Sequence, residues 1–293
     1  VEHLFVANTH SYILFFTDKG KCYWVKVYDI PEGGRAAKGR AIVNLIGCEP
    51  DEKVSAFISV KEFNEDHFVV MATEKGIVKK TKLSAYSNPR KKGIYAVEIR
   101  DGDKLIEARV STGDNDILLG TRNGKSIRFS EEQIRPSGRK TMGVKGITLS
   151  SEDDRLVGML LIKREGTTVL VATEKGFGKR TEISQYRAQK RGGKGVLTMK
   201  TTEKVGKMVT IKEVVDKDDL MIITNQGVLI RQPVAQIRAI GRATQGVKLI
   251  KLGEGTLVSS ITRIMTEEEG DEDGAPEETE NENSNPKTEE ATS

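Results

Sequence analysis

The 293-residue chain carries 47 Lys and Arg against 43 Asp and Glu, a formal charge of +4. That balance hides a split: from Glu267 onward there are 12 acidic residues and one cation, Lys287, so residues 1–266 carry +15. A basic body with an acidic tail points to a polyanionic partner, nucleic acid foremost. No apolar stretch reaches the roughly 20 residues of a membrane-spanning helix. No signal-peptide pattern opens the chain, and Cys22 and Cys48 have neither metal-ligand nor disulfide-framework spacing, which fits a reducing cytoplasm. His3, His10 and His67 are scattered and read as ordinary side chains rather than ligands.

In chain order, Val1 leads straight into the apolar strand pattern Leu4-Phe5-Val6, which reads as a fragment cut from a longer protein. An apolar run then ends in Thr-x-x-Gly five times: Ile13–Thr17 with Gly20, Val69–Thr73 with Gly76, Ile117–Thr121 with Gly124, Val169–Thr173 with Gly176, and Met221–Thr224 with Gly227. Successive glycines lie 56, 48, 52 and 51 residues apart, the length of a propeller blade. Each run is uniformly apolar, as a strand buried on both faces should be. The glycine allows the positive φ of a tight hairpin. For Gly20, Gly76, Gly124, Gly176 and Gly227 the turn is role enough.

Four residues past the glycine stands Lys80, Arg128, Arg180 or Arg231, with Trp24 in the first unit, expected to point outward from an alternating strand. A second glycine follows, usually after a cation: Lys38-Gly39, Lys92-Gly93, Lys145-Gly146, Lys194-Gly195, and Gln245-Gly246 as the exception. Apolar alternation and a further strand complete four short strands per unit. Six strands of the last type begin near Leu4, Val54, Leu105, Leu156, Met208 and Leu257, against five hairpins. The expected fold is therefore all-β, of six-bladed β-propeller type, with five largely complete four-stranded blades and part of a sixth. Val247–Leu252 and Thr256–Ile264 form the half-blade, and its hairpin lies upstream of Val1. The domain spans residues 1–265; residues 266–293, without a large apolar side chain after Met265, form a disordered acidic tail.

Several strings carry a family resemblance: Leu4–His10, Val25–Pro31, Gly39–Leu45, Met71–Thr81 and Gly241–Val247. Over roughly residues 1–265 the chain resembles the C-terminal DNA-wrapping domain of the bacterial gyrase A subunit. The topoisomerase IV A-type subunit is the close paralogue, with typically fewer and more degenerate blades. The resemblance implies a β-pinwheel in which neighbouring blades exchange strands and a basic rim wraps double-stranded DNA. It implies as partners the remainder of the A subunit, plus a B subunit, in an A2B2 complex that supercoils DNA negatively, and a bacterial, cytoplasmic, nucleoid-associated location. It places the DNA-cleaving tyrosine, ATP and Mg outside this chain, which has no cofactor, metal or membrane role of its own. The family's heptad box, Gln-Arg-Arg-Gly-Gly-Lys-Gly, is matched by Gln189, Lys190, Arg191, Gly192, Gly193, Lys194 and Gly195, with Lys190 in place of Arg. It falls in the fourth unit, whereas the family's functional box belongs to the first blade. The match therefore reads as a repeat-equivalent loop, and the true box lies upstream.

Phosphate contact suits Lys and Arg beside glycines that let backbone N–H groups approach. The candidate DNA-binding residues are Arg35, Lys38 and Arg40; Lys79 and Lys80; Arg90, Lys91 and Lys92; Arg128; Arg139, Lys140 and Lys145; Lys179 and Arg180; the heptad 189–195; Arg231; and Arg242. Tyr12, Tyr23, Tyr28, Tyr86, Tyr95 and Tyr186 read as core or rim tyrosines. No nucleophile or G-x-x-x-x-G-K-[ST] motif stands out. A protein-interaction propeller would not need cations at equivalent positions, and a propeller enzyme would need acids or histidines recurring on inner strands. The tail, at −11 beside a +15 body, reads either as a plain solubilising segment or, more sharply, as a competitor with DNA for the rim.

Overall fold

The computed structural model describes residues 7–33, 41–163 and 166–264. The strand near Leu4, the segment holding Arg35, Lys38 and Arg40, and the acidic tail lie outside the described residues. The first unit supplies β1 (Tyr12–Thr17), β2 (Lys21–Lys26) and β3 (Val54–Val60), with the short helix α1 (Ile42–Ile46) before β3. The second supplies β4 (Phe68–Thr73), β5 (Ile77–Lys82), β6 (Ile94–Tyr95) and β7 (Leu105–Ser111). The third supplies β8 (Asp116–Thr121), β9 (Lys125–Ser130), β10 (Val144–Lys145) and β11 (Leu156–Ile162). The fourth gives β12 (Thr168–Thr173), β13 (Phe177–Glu182), β14 (Val196–Leu197) and β15 (Met208–Val214), and the fifth β16 (Asp219–Thr224), β17 (Leu229–Pro233), β18 (Val247–Lys248) and β19 (Val258–Ile264).

The Thr-x-x-Gly motif closes each hairpin by two devices. The glycine takes φ of +76 to +82° in all five turns, a conformation that is strained for any side chain. In four of the turns the threonine hydroxyl accepts the backbone N–H four residues on, from Lys21, Ile77, Lys125 and Val228 at 3.1–3.3 Å. The same threonine marks a register shift against the third strand of its sheet in every blade. Such a bulge bends the strand and sharpens its twist.

Pairing shows how the units join. The sheets run β3-β1-β2-β6, β7-β4-β5-β10, β11-β8-β9-β14, β15-β12-β13-β18 and β19-β16-β17. Each unit keeps three strands, and the second to fifth units each lend a short strand to the sheet before, the exchange that the resemblance implied. This overturns the expected six-bladed form: the described residues form five blades and no closed sheet. Val247 and Lys248 are no half-blade but the fourth strand of blade four, and β19 is the third strand of blade five.

The apolar runs alternate their allegiance. Val69 and Met71 join Leu14 and Phe16 between blades one and two, while Val70 and Ala72 join Ile117 and Leu119 between blades two and three. Leu118 packs with Val169 and Val171, and Leu170 and Ala172 with Leu220 and Ile222. Successive strand residues point to opposite faces, so each inner strand serves two cores, and full burial of each large side chain stabilises by about 1.5–3 kcal/mol. On blade one, Ile46 of α1 covers Ile13 and Phe15. On blade five, Val228 and Leu229 remain 49% and 47% exposed beside the three-stranded sheet.

Candidate nucleic-acid interface

The third strands β3, β7, β11, β15 and β19 neighbour one another, so the lent short strands lie at the opposite, outer edge of each four-stranded sheet. A loop leads into each short strand from a one-turn 3-10 helix: residues 87–93, 135–143, 187–195 and 238–246. These four loops hold 12 Lys and Arg and no Asp or Glu. They recur at the same point of each sheet, and that geometry concentrates positive potential along the outer edge.

The loops share a left-handed glycine just before the short strand: Gly93, Gly143, Gly195 and Gly246, with φ of +67 to +88°. In the third unit the equivalent is Gly143, not the Gly146 of the sequence alignment, and Met142 rather than Lys145 precedes it. A Cβ on Gly143, Gly195 or Gly246 would sit 2.3–2.6 Å from a carbonyl oxygen of Val78, Ser126 or Gly178 in the preceding unit. These glycines therefore allow one loop to lie against the neighbouring blade; close packing of protein backbone accounts for them.

Placed on this frame, the candidates divide. Arg90, Lys91, Lys92, Lys140, Lys145, Lys190 and Lys194 are exposed on the loops or short strands. Gln189, Arg191, Gly192, Gly193, Gly195, Arg139 and Arg242 are half-buried in the same loops. Arg135, Arg187 and Arg238 are three exposed cations absent from the sequence-derived set. Each lies eight residues before its left-handed glycine, so alignment on that glycine rather than on the hairpin would have revealed them.

The cations four past the hairpin glycine do not point freely outward as expected. Lys80 is 4% exposed, 3.2 Å from the buried Glu131 and 4.8 Å above the Phe68 ring. Arg128 pairs with Asp116 at 2.6 Å and donates to the carbonyls of Ile183 and Tyr186. Arg180 is buried, pairs with Asp216 and donates from Nε to the Ile237 carbonyl at 2.7 Å. Arg231 stays 62% exposed while bound to Asp219 at 2.5 Å. Three of the four also reach past their own unit, Lys80 to Glu131 and Arg128 and Arg180 to carbonyls of the following turn, so they join blades.

Lys79 and Lys179 are buried outright. Lys79 donates to the Ala96 carbonyl at 2.6 Å and to that of Arg139; Lys179 donates to Gly241 at 2.6 Å, to the Arg242 carbonyl and to Thr244 Oγ1. Burial lowers their ammonium pKa values to about 7 and about 8. The nearby guanidinium groups, Arg139 for Lys79 and Arg242 for Lys179, push the same way. Both ammonium groups are taken up by these acceptors, and each anchors the backbone of a basic loop from beneath.

A profile of the family described as DNA gyrase C-terminal domain, β-propeller, matches residues 11–61, 67–112, 115–163, 167–214 and 218–264. The chain belongs to this family. Its five matched segments coincide with the five repeat units, each of which supplies three strands to one blade. The DNA gyrase A subunit of Staphylococcus epidermidis ATCC 12228 is 45% identical over 271 residues, 92% of this chain and 30% of the relative. That of Staphylococcus aureus NCTC 8325 is 45% identical over 277 residues, 93% of this chain and 31% of the relative. The chain thus spans about 30% of the length of these gyrase relatives. Among solved structures, the C-terminal domain of DNA topoisomerase IV superposes with a TM-score of 0.80 at 25% identity, over 88% of this chain and 80% of that one. The DNA gyrase A C-terminal domain superposes with a TM-score of 0.77 at 22% identity, over 90% of each, a likeness of fold.

Proposed function

We propose that the chain binds duplex DNA along its outer edge and bends it, as the non-catalytic DNA-wrapping part of a gyrase A subunit. The observation that carries this reading is the set of four carboxylate-free basic loops at equivalent points of successive blades. Evenly repeated cations suit a ligand of evenly repeated charge and read no sequence. An arc of such contacts also offsets bending, which costs about 1–6 kcal/mol for 40–90° over 20–30 bp. The 45% identity to gyrase A proteins favours gyrase over topoisomerase IV. On this reading the chain works with the remainder of the A subunit, plus a B subunit, in a cytoplasmic A2B2 complex. Cleavage, ATP and Mg belong elsewhere in that complex.

Salt dependence tests it. Nine loop cations are exposed: Arg90, Lys91, Lys92, Arg135, Lys140, Arg187, Lys190, Lys194 and Arg238. If two-thirds of them neutralise phosphates, log Kobs should fall with log[salt] at a slope of about −5. A slope near zero, or equal affinity for an uncharged polymer, would remove the proposal.

A further inference from the structure

The basic loops are joined to one another by a repeated contact. Arg139, Arg191 and Arg242 each stand four residues before the left-handed glycine of their loop. Each sends Nη1 back to the carbonyl of the last residue of the short strand one unit earlier. Arg139 reaches Tyr95 at 3.3 Å, Arg191 reaches Lys145 at 3.0 Å, and Arg242 reaches Leu197 at 2.9 Å. Tyr95, Lys145 and Leu197 end β6, β10 and β14 in turn. In the second unit the equivalent residue is Pro89, which has no donor.

Backbone bonds reinforce the same junctions. Glu98 N–H donates to the Thr141 carbonyl, Thr148 N–H to Gly193 and Lys200 N–H to Thr244, at 2.9–3.1 Å. In the box-like loop Gly192 N–H donates to Gly146. Arg191 is the most elaborate case: its backbone N–H donates to Gln133 Oε1, Nε to the Gln133 carbonyl and Nη1 to the Lys145 carbonyl, at 2.9–3.0 Å. A planar guanidinium can span two carbonyls at once; an ammonium on a flexible stem holds that bridge poorly. The buried ammonium groups of Lys79 and Lys179 fix the backbones of Arg139 and Arg242 from the other side.

We infer that Arg139, Arg191 and Arg242 are positioning residues: they staple successive DNA-binding loops at a fixed separation, while the neighbouring exposed lysines, Lys140, Lys190 and Lys194, take the phosphates. This deepens the DNA-binding reading and rests on it for the ligand. A fixed separation matters only to a duplex long enough to touch several loops, because it turns the later contacts into intramolecular events.

The experiment is a set of variants of the 293-residue chain with two readouts. One is affinity for duplexes of about 12 and about 40 bp across salt concentrations, lengths chosen to engage one loop or several. The other is amide hydrogen exchange in the free protein, with the β12 amides as a fold control. The triple change Arg139→Lys, Arg191→Lys and Arg242→Lys keeps every charge. It should speed exchange at Gly192 and Thr148, weaken binding of the long duplex by about 10-fold or more, and leave the short duplex and its salt slope unchanged. The triple change Lys140→Gln, Lys190→Gln and Lys194→Gln should instead reduce the long-duplex salt slope by about 3 without altering exchange. Unchanged exchange, or unchanged long-duplex affinity, in the Arg-to-Lys protein overturns the staple, since a phosphate ligand tolerates that substitution. A wild-type chain that binds neither duplex, with exchange still faster in the variant, removes the DNA reading and leaves the staple standing.

Discussion

Gly124 and Gly227 have nearly the same backbone, φ of +82° and +79°, yet their surroundings differ completely. A Cβ at Gly124 would lie 2.1 Å from the carbonyl oxygen of Met199, which belongs to the next unit; at Gly227 nothing lies within 4 Å. Gly124→Ala therefore bears two costs and Gly227→Ala one. The shared cost is an L-residue in the left-handed region, about 1–2 kcal/mol. The extra cost at Gly124 is displacement of the lent segment, whose Thr198 and Met199 N–H groups both donate to the Gly124 carbonyl at 2.8 and 3.2 Å. Losing two such bonds costs about 2 kcal/mol. Equilibrium urea unfolding followed by circular dichroism should thus place Gly124→Ala about 3–4 kcal/mol below wild type and Gly227→Ala only about 1–2. Gly76→Ala, whose nearest obstacle is the Ile147 side chain at 2.8 Å, should fall between them. Equal losses at Gly124 and Gly227 would refute the idea that the Gly124 hairpin is locked by the following unit while the Gly227 hairpin stands alone.

Two further outcomes follow from buried charge. Lys79 has a pKa near 7 in the folded state against the usual 10.5, so the unfolded chain binds more protons between those values and stability rises with pH there. Wild type should gain about 2 kcal/mol relative to Lys79→Met between pH 7 and pH 9; a stability difference that does not move with pH would show that the ammonium is not depressed. Glu131, fully buried, accepts from Ser111 Oγ at 2.5 Å and Asn115 Nδ2 at 3.3 Å while facing Lys80. Glu131→Ala strands a buried cation and should cost about 3–5 kcal/mol in unfolding free energy. A loss within 0.5 kcal/mol, the usual range of a neutral surface change, would mean that the pair is not a strut between blades.

The repeat, the all-β class and the doubly buried inner strands were legible because they extend over six residues with strong patterning. The blade count was not. The strand that decides it, such as Val247–Lys248, is two residues long and pairs with the preceding unit. Two residues carry no alternation, and a lent strand counted with its own unit leaves a spurious half-blade. The fate of Lys80 and Arg180 was equally hidden, because Glu131 and Asp216 lie 51 and 36 residues away in sequence. Cationic loops could be read from composition alone. Which cations face solvent could not: Lys145 and Lys179 look alike in sequence, yet one is exposed and the other buried.

Ligation of nicked circular DNA saturated with the 293-residue chain tests the central claim most directly. A domain that bends duplex DNA along a chiral arc of loops traps writhe, so the closed circles should carry a linking-number shift that grows with bound protein and shrinks with added salt. A chain that binds the circles at low salt yet leaves the linking number at its protein-free value would contradict the account.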